Sequence, residues 1–558
     1  MFKLVLCGMR VAPDVWRKLL TFRLLSFAFL LAASCHNDNA GSHKTVFNIN
    51  LDEGLTSLDP AFCRNQNTIW MDNQLFNGLV QVDDSLHVRP AIAKSWDISP
   101  DGLQYTFRLR NDVYFHDDPL FAGGTGRKAI ASDFAYSFGR LLDRRIAASG
   151  SWIFSDKVTG KEAFIALNDT TFRIQLKEPF PPLLTLLTSQ IASVIPHEVA
   201  EHYGKDFRNH PIGTGPFRFK YWKEGEVLVF LKNDKYWEKD KDGPLPHLDA
   251  IRATFIGDKQ TAFMEFVTGK IDFLNDIDGS YRDDILTKSG KVTQKYKGKF
   301  TLNTAPYLNT MYLGMLVDTN LPIVRDCPLK LLKIRQAVNY AIDKQKMIKY
   351  LRNSMATPGD AGFIPAGMPG FSDTQVKGYN YDPEKCRRLL AEAGYPNGRH
   401  LPEITLTTTI GYRDLIEYVQ GQLDQVGIHT KVEIVQSASL RELVAKNGVN
   451  FFYGSWIADY PDGENYLLLF YSKNRIPSGP NYTGFNNKQF DHMFEQCYHE
   501  NNDQKRYALY REMDNVVMQN APVVILYYDK LVNLYQSNIT GYSKNALNLL
   551  VLKRIVKH

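Results

Sequence analysis

Cysteine is scarce in this chain, with six in 558 residues and no C-x-x-C spacing. That excludes a zinc ribbon and a small domain stapled by disulfides. Long apolar runs are scarce too. The run Leu24 to Ser34 has about 11 residues, where a spanning helix needs roughly 20. No second long run follows, which excludes a polytopic membrane domain. A large excess of one charge is also missing: 66 Lys+Arg against 60 Asp+Glu leave +6, too little at this length to require nucleic acid or an anionic surface as partner. The sequence contains no G-x-S-x-G elbow, phosphate loop or G-x-G-x-x-G turn, so the common hydrolase and nucleotide-enzyme signatures are absent.

What is present is a globular composition, 44% hydrophobic, 12% aromatic and 23% charged, enough for about three or four units of roughly 150 residues. The first 34 residues carry Lys3, Arg10, Arg17, Lys18 and Arg23 against Asp14 alone, ahead of the short apolar run. This is the layout of a secretory leader. It ends Leu31-Ala32-Ala33-Ser34-Cys35, which resembles the bacterial lipobox, with Ala32 where leucine is usual. The expectation is a signal peptide over 1–34, lipidation of Cys35 and a polar tether over 35–44. A plain secretory leader with an incidental cysteine is the alternative. Without the leader, 61 basic residues face 59 acidic ones, so most of the surplus belongs to the export signal. Cys63, Cys327, Cys386 and Cys497 read as structural thiols.

Periodicity sketches the rest. Tyr105, Phe107 and Leu109 alternate before the Asn111-Asp112 turn, and Val113 and Phe115 resume, which predicts a hairpin. Ser132 is expected to cap a helix with the stripe Phe134, Phe138, Leu141 and Leu142. A second hairpin is predicted from Phe217, Phe219 and Tyr221 through Lys223-Glu224-Gly225 to Val227, Val229 and Leu231. Further on, Ile334, Val338, Ala341, Ile342 and Ile348 read as one helix face. Asp382 before Pro383 marks a helix start and Gly394 its stop. A strand from Ile404 to Thr409, a helix bearing Leu415, Val419 and Leu423, and a strand from Ile428 to Val435 form a βαβ unit, hence a parallel pair with a right-handed crossover.

Several blocks then carry a family likeness: Ala93-Lys94-Ser95-Trp96 with Ser99-Pro100-Asp101-Gly102; Val113-Tyr114-Phe115-His116; Gly213-Thr214-Gly215-Pro216-Phe217 with Asn233-Asp234-Lys235-Tyr236-Trp237; Arg335-Gln336-Ala337-Val338-Asn339-Tyr340-Ala341-Ile342-Asp343; and Leu389-Leu390-Ala391-Glu392-Ala393-Gly394-Tyr395-Pro396. In this order they resemble bacterial extracellular solute-binding proteins of family 5, the oligopeptide, dipeptide and nickel receptors of ABC importers. The resemblance implies an α/β, two-lobed periplasmic-binding-protein-like fold with a hinge cleft and an extra domain inserted in the first lobe. It places the first lobe at 45–85, 200–305 and 523–558, the inserted domain at 86–199 and the second lobe at 306–522. Ala521-Pro522-Val523-Val524-Ile525-Leu526-Tyr527-Tyr528 matches the family's return crossing between lobes.

The same likeness points to Trp456-Ile457-Ala458-Asp459. In peptide receptors of the family a tryptophan three residues before an aspartate lies in the cleft, and the aspartate pairs with the ligand's α-ammonium. A closing cleft needs such a counter-charge, because an unpaired buried charge costs several kcal/mol. Read from the residues alone, the favoured account is that Trp456 is a core residue and Asp459 the cap of the Tyr460-Pro461-Asp462-Gly463 turn; the family likeness reverses that preference. Arg413, opening a helix beyond the Ile404 to Thr409 strand, is a candidate for a ligand carboxylate; a solvated arginine at a helix start is the alternative. His197-Glu198-Val199-Ala200-Glu201-His202 has its histidines five apart, about 140° around a helix, so it fails as a zinc-protease motif. His116-Asp117-Asp118 is the only conspicuous metal-ligand cluster, and turn hydrogen bonding accounts for it more simply. The reading that emerges is a monomeric receptor, not an enzyme, with no cofactor and no nucleic-acid partner. It is exported and lipid-anchored at the periplasmic or cell-surface side, and it binds peptides and passes them to an ABC permease in the inner membrane. The alternatives are a nickel or metal-chelate receptor of the same family and, in another class, a secreted hydrolase.

Overall fold

The computed structural model describes residues 44–558; the expected leader, Cys35 and the tether up to residue 43 lie outside the described residues. An eleven-stranded sheet runs through the described chain. In sequence order its strands are β1 Val46–Asn50, β2 Phe217–Lys223, β3 Val227–Lys232, β4 Ala250–Thr254, β5 Phe273–Asn275, β6 Phe300–Met315, β7 Ala356–Pro358, β8 Ile404–Thr409, β9 Thr430–Val435, β10 Phe451–Ile457 and β11 Val523–Gln536. In space they follow the order β9-β8-β10-β6-β11-β5-β1-β4-β3-β2, with β7 paired to β11.

Two strands hold this sheet together. β6 has 16 residues and β11 has 14, and they pair antiparallel from Phe300↔Gln536 to Gly314↔Val523. At about 3.3 Å per residue they reach roughly 45–50 Å, long enough to serve both lobes of a two-lobed α/β fold. Their apolar runs are covered on both faces: Met311, Leu313, Val524 and Leu526 enter one core, while Leu308, Tyr312, Val523 and Ile525 enter the opposite one. The ladder shifts register twice, and at the second place Met311 pairs with Tyr527 but Tyr312 with Ile525, so Leu526 is passed over. The first shift is the larger. Pro306 pairs with Lys530 and Thr310 with Tyr528, so Tyr307, Leu308 and Asn309 bulge out opposite the single residue Asp529. Such bulges re-aim side chains, and this one lies on the strands shared by the two lobes.

A separate four-stranded antiparallel sheet has the order Ala93–Ile98, Gln104–Leu109, Thr171–Gln175, Phe164–Asn168. The helix Ala131–Leu141 covers it, with Phe134 and Phe138 at 5.7 and 5.6 Å from the Phe172 ring. The hairpin expected around Asn111-Asp112 does not form. Gln104–Leu109 pairs instead with Ala93–Ile98 and Thr171–Gln175, and Tyr114 makes only an isolated bridge to Lys128. Alternation identified the buried face correctly, since Tyr105, Phe107 and Leu109 are buried, but it carries no information about the partner. Ser132 is not the cap either: the helix begins at Ala131, and the Asp133 carboxylate accepts the Ile130 N–H at 2.9 Å.

The second predicted hairpin is β2 and β3, paired from Phe217↔Lys232 to Lys223↔Val227. The βαβ unit is β8, the helix Arg413–Asp424 and β9, parallel from Ile404↔Thr430 to Thr409↔Val435. The helix start at Asp382 is present, its carboxylate accepting Lys385 N–H at 2.8 Å ahead of Pro383–Glu392. The single helix expected over 334–348 is two, Leu332–Tyr340 and Lys344–Leu351, because Asp343 caps the second by accepting Lys346 N–H. No helix among the described residues is long and apolar enough to cross a membrane.

Candidate functional site

A cleft of about 1060 Å³ opens where the two long strands pass between the lobes. Residues beyond the end of β5, including Asp276 and Asp278, form one wall. Arg352, Tyr412 and Arg413 form the other, and Asp529 on β11 lies between them. The lining holds six carboxylates and six cationic side chains. A second, partly open polar cavity near Asn77 and Lys553 has about 120 Å³.

Arg413 stands in the cleft wall at the start of its helix, past the end of β8, as the strand and helix signals placed it. Its guanidinium is already engaged: Nε donates to Glu417 Oε1 at 2.6 Å, one helical turn on, and the side chain is 57% exposed.

Trp456 and Asp459 are not among the residues lining this cleft; they stand together, one backbone contact away from it. Trp456 ends β10 opposite Thr310, and Ala458 N–H donates to Leu308 C=O at 3.0 Å, inside the bulge whose Tyr307 lines the cleft. A residue that the sequence reading missed joins them. Asn465, buried, accepts Trp456 Nε1–H at 3.2 Å and Asp459 N–H at 3.1 Å, and donates to Asp459 Oδ2 at 3.3 Å. Asp459 forms no ion pair among the described residues. Its side chain still meets solvent, yet the surrounding protein raises its carboxyl above the usual value, and only the Asn465 amide opposes that shift.

Asp529 was missed as well, although it is the single acid in the apolar run of β11, and a charge in a buried strand is itself a signal. Asn309 Nδ2 donates to it at 3.2 Å. Burial, then the Asp276 charge, push its carboxyl up to about 6 against the opposing pull of Arg352 and Asn309.

The remaining chemical candidates resolve into structure. His116 is buried, with Nε2 3.0 Å from Gly215 C=O, and burial pushes its ring down to about 4. Asp117 pairs with Lys235 at 2.8 Å, so the His116 cluster does not converge on a metal. His197–Tyr203 is a helix, but His197 lies against Glu198 at 3.3 Å and His202 against the Tyr203 ring. Among the described residues one group, Asp240, Asp242 and His247, has metal-ligand spacing; His247 Nε2 is already 2.9 Å from Asp240 Oδ2. Cys63, Cys327, Cys386 and Cys497 are buried and unpaired. Burial drives the thiols of Cys386 and Cys497 up to about 12, which suits inert packing.

Comparison with known proteins agrees with this architecture. The family model for bacterial extracellular solute-binding proteins, family 5 Middle, matches residues 87–478, and the chain belongs to that family. It is 29% identical over 528 residues to the glutathione-binding protein GsiB of Escherichia coli O1:K1 / APEC, covering 93% of this chain and 94% of that one. DppA from Helicobacter pylori, in complex with the peptide STSA, superposes with a TM-score of 0.72 at 25% identity over 92% of this chain and 98% of that one. HbpA2 from Haemophilus parasuis gives 0.80 at 22% identity over 92% and 100%. The fold is therefore the two-lobed periplasmic-binding-protein type, and these relatives are solute-binding receptors rather than enzymes.

Proposed function

We propose that this chain is the peptide-capturing receptor of an ABC importer, exported, held to the membrane by a lipid on Cys35, and delivering its cargo to a membrane permease. The observation that carries the reading is Asp459, a carboxylate next to the strand bulge whose Tyr307 lines the cleft, steadied by Asn465 beside the Trp456 ring and without a cation among the described residues. An entering α-ammonium supplies the missing counter-charge, and the closed cleft excludes the water that would weaken the pair. The equal numbers of acidic and basic groups in the cleft suit a zwitterion rather than a simple anion or sugar. Two relatives point the same way, one named for glutathione and one seen with the peptide STSA; both ligands are short peptides. Solute contacts made only when the lobes close drive the hinge, which is the shared pair of strands.

The test compares a free-amine peptide with its N-acetylated form. Asp459→Ala is expected to weaken the free-amine peptide by about 3 kcal/mol, on the order of a hundredfold, and to leave the acetylated one nearly unchanged. Equal losses for both would overturn the assignment.

A further inference from the structure

A further carboxylate without a salt-bridge partner among the described residues stands in the lining of the cleft itself. Asp529 faces the bulge of Tyr307, Leu308 and Asn309, where three residues of β6 stand opposite one of β11. Its one side-chain hydrogen bond comes from Asn309 Nδ2 at 3.2 Å. No ion pair reaches it among the described residues, although the cleft is rich in cations. Arg352 is near enough for its charge to oppose the Asp529 shift, but it makes no ion pair with Asp529, and its guanidinium carbon lies 5.9 Å from the Tyr527 ring centroid. Lys530, next in sequence, is not paired with it either. Asn309 is itself 6% exposed, and its Oδ1 has no donor. Two acceptors therefore lie side by side short of hydrogen-bond donors. A second negative group, Asp276, comes from the opposite wall and is close enough for its charge to act on Asp529. Buried acceptors left in this way cost free energy that a donor cation would recover.

We propose that Asp529, with Asp276 across the cleft, determines specificity by accepting a second cationic group of the solute, so that the preferred ligands are peptides carrying a lysine or arginine side chain besides the α-ammonium. This rests on the peptide reading above and narrows it. Asp459 takes the ammonium common to all peptides. Asp529 takes a charge that only some of them bring, and Asn309 holds its carboxylate in place.

Isothermal titration of the purified protein tests it, using trialanine, the three tripeptides with one alanine replaced by lysine, and the same three with the lysine Nε-acetylated. At least one lysine peptide should bind about tenfold more tightly than both trialanine and its own acetylated form. Asp529→Asn, nearly isosteric, should reduce that preference to within about twofold while trialanine keeps its affinity. A wild-type protein that binds these peptides without preferring lysine overturns the subsite and leaves the peptide reading standing. So does an Asp529→Asn protein that keeps the preference or weakens trialanine equally. A wild type that binds none of them overturns both. The wild-type comparison needs no variant, so it decides the matter even if Asp529→Asn fails to fold.

Discussion

Arg140 grips Asp59 through two hydrogen bonds, Nη1 to Oδ1 at 2.9 Å and Nη2 to Oδ2 at 2.6 Å, although the two residues are 81 positions apart. Both side chains are more than nine-tenths buried. Asp59 belongs to the turn after β1, and Arg140 to the helix Ala131–Leu141 over the four-stranded sheet. The pair therefore ties the small sheet to the large one.

Arg140→Met should leave Asp59 charged, buried and unpaired, lowering stability by about 3–5 kcal/mol. Denaturant unfolding measures the loss. Peptide affinity of the folded variant should be unchanged, since neither residue lines the cleft. A loss below about 1 kcal/mol would mean that water reaches the site.

Asp514 sets a pH dependence. Its oxygens accept Phe363 N–H at 2.6 Å and Ile364 N–H at 3.2 Å, and burial pushes the carboxyl up to about 7. The unfolded value is about 3.9, so the native state holds this proton more tightly than the unfolded chain. The contribution to stability is then complete below about pH 4 and is lost as pH rises through 7, by on the order of 4 kcal/mol. Asp514→Asn should flatten that part of the unfolding free energy measured between pH 4 and 8. An unaltered slope would assign it to other groups.

Two glycines should respond to alanine with opposite signs. A Cβ on Gly362 would fall 1.9 Å from Asp514 Oδ2, whereas one on Gly421, inside the helix Arg413–Asp424, meets nothing within 4 Å. Gly362→Ala should destabilise by more than about 2 kcal/mol through overpacking. Gly421→Ala should stabilise by about 0.5–1 kcal/mol through helix propensity. Thermal unfolding of the two variants side by side checks both.

Cys35→Ala tests the anchor. Expressed with its own leader in a lipoprotein-processing bacterium, the native chain is expected in the membrane fraction and the variant in the soluble exported fraction. Identical partitioning of the two would remove the lipid from the proposal.

Local signals survived into the structure because they need only neighbours. The Asp382-Pro383 helix start, the β2–β3 hairpin and the βαβ unit each depend on a cap, a turn or a short crossover within about 30 residues. Where partners lay farther off, the reading stopped at the face. Tyr105, Phe107 and Leu109 were assigned inward correctly, but Thr171–Gln175, more than 60 residues on, is the neighbour that completes their sheet. The site divides in the same way. Trp456, Asp459 and Arg413 could be named from motif and strand-end arguments, and Asp529 carried a legible signal as a charge in an apolar strand.

Composition, periodicity and capping act over a few residues, so the alternation of α and β segments and most of the inward faces were legible before any folding was considered. Folding alone reveals that Asn465 joins Trp456 to Asp459, that Glu417 engages Arg413, and that a bulge in β6 meets Asp529 of β11 more than 200 residues later. Those relations depend on strand register and on which carboxylates lack a cation, and both are set by packing across the whole chain rather than by any local pattern.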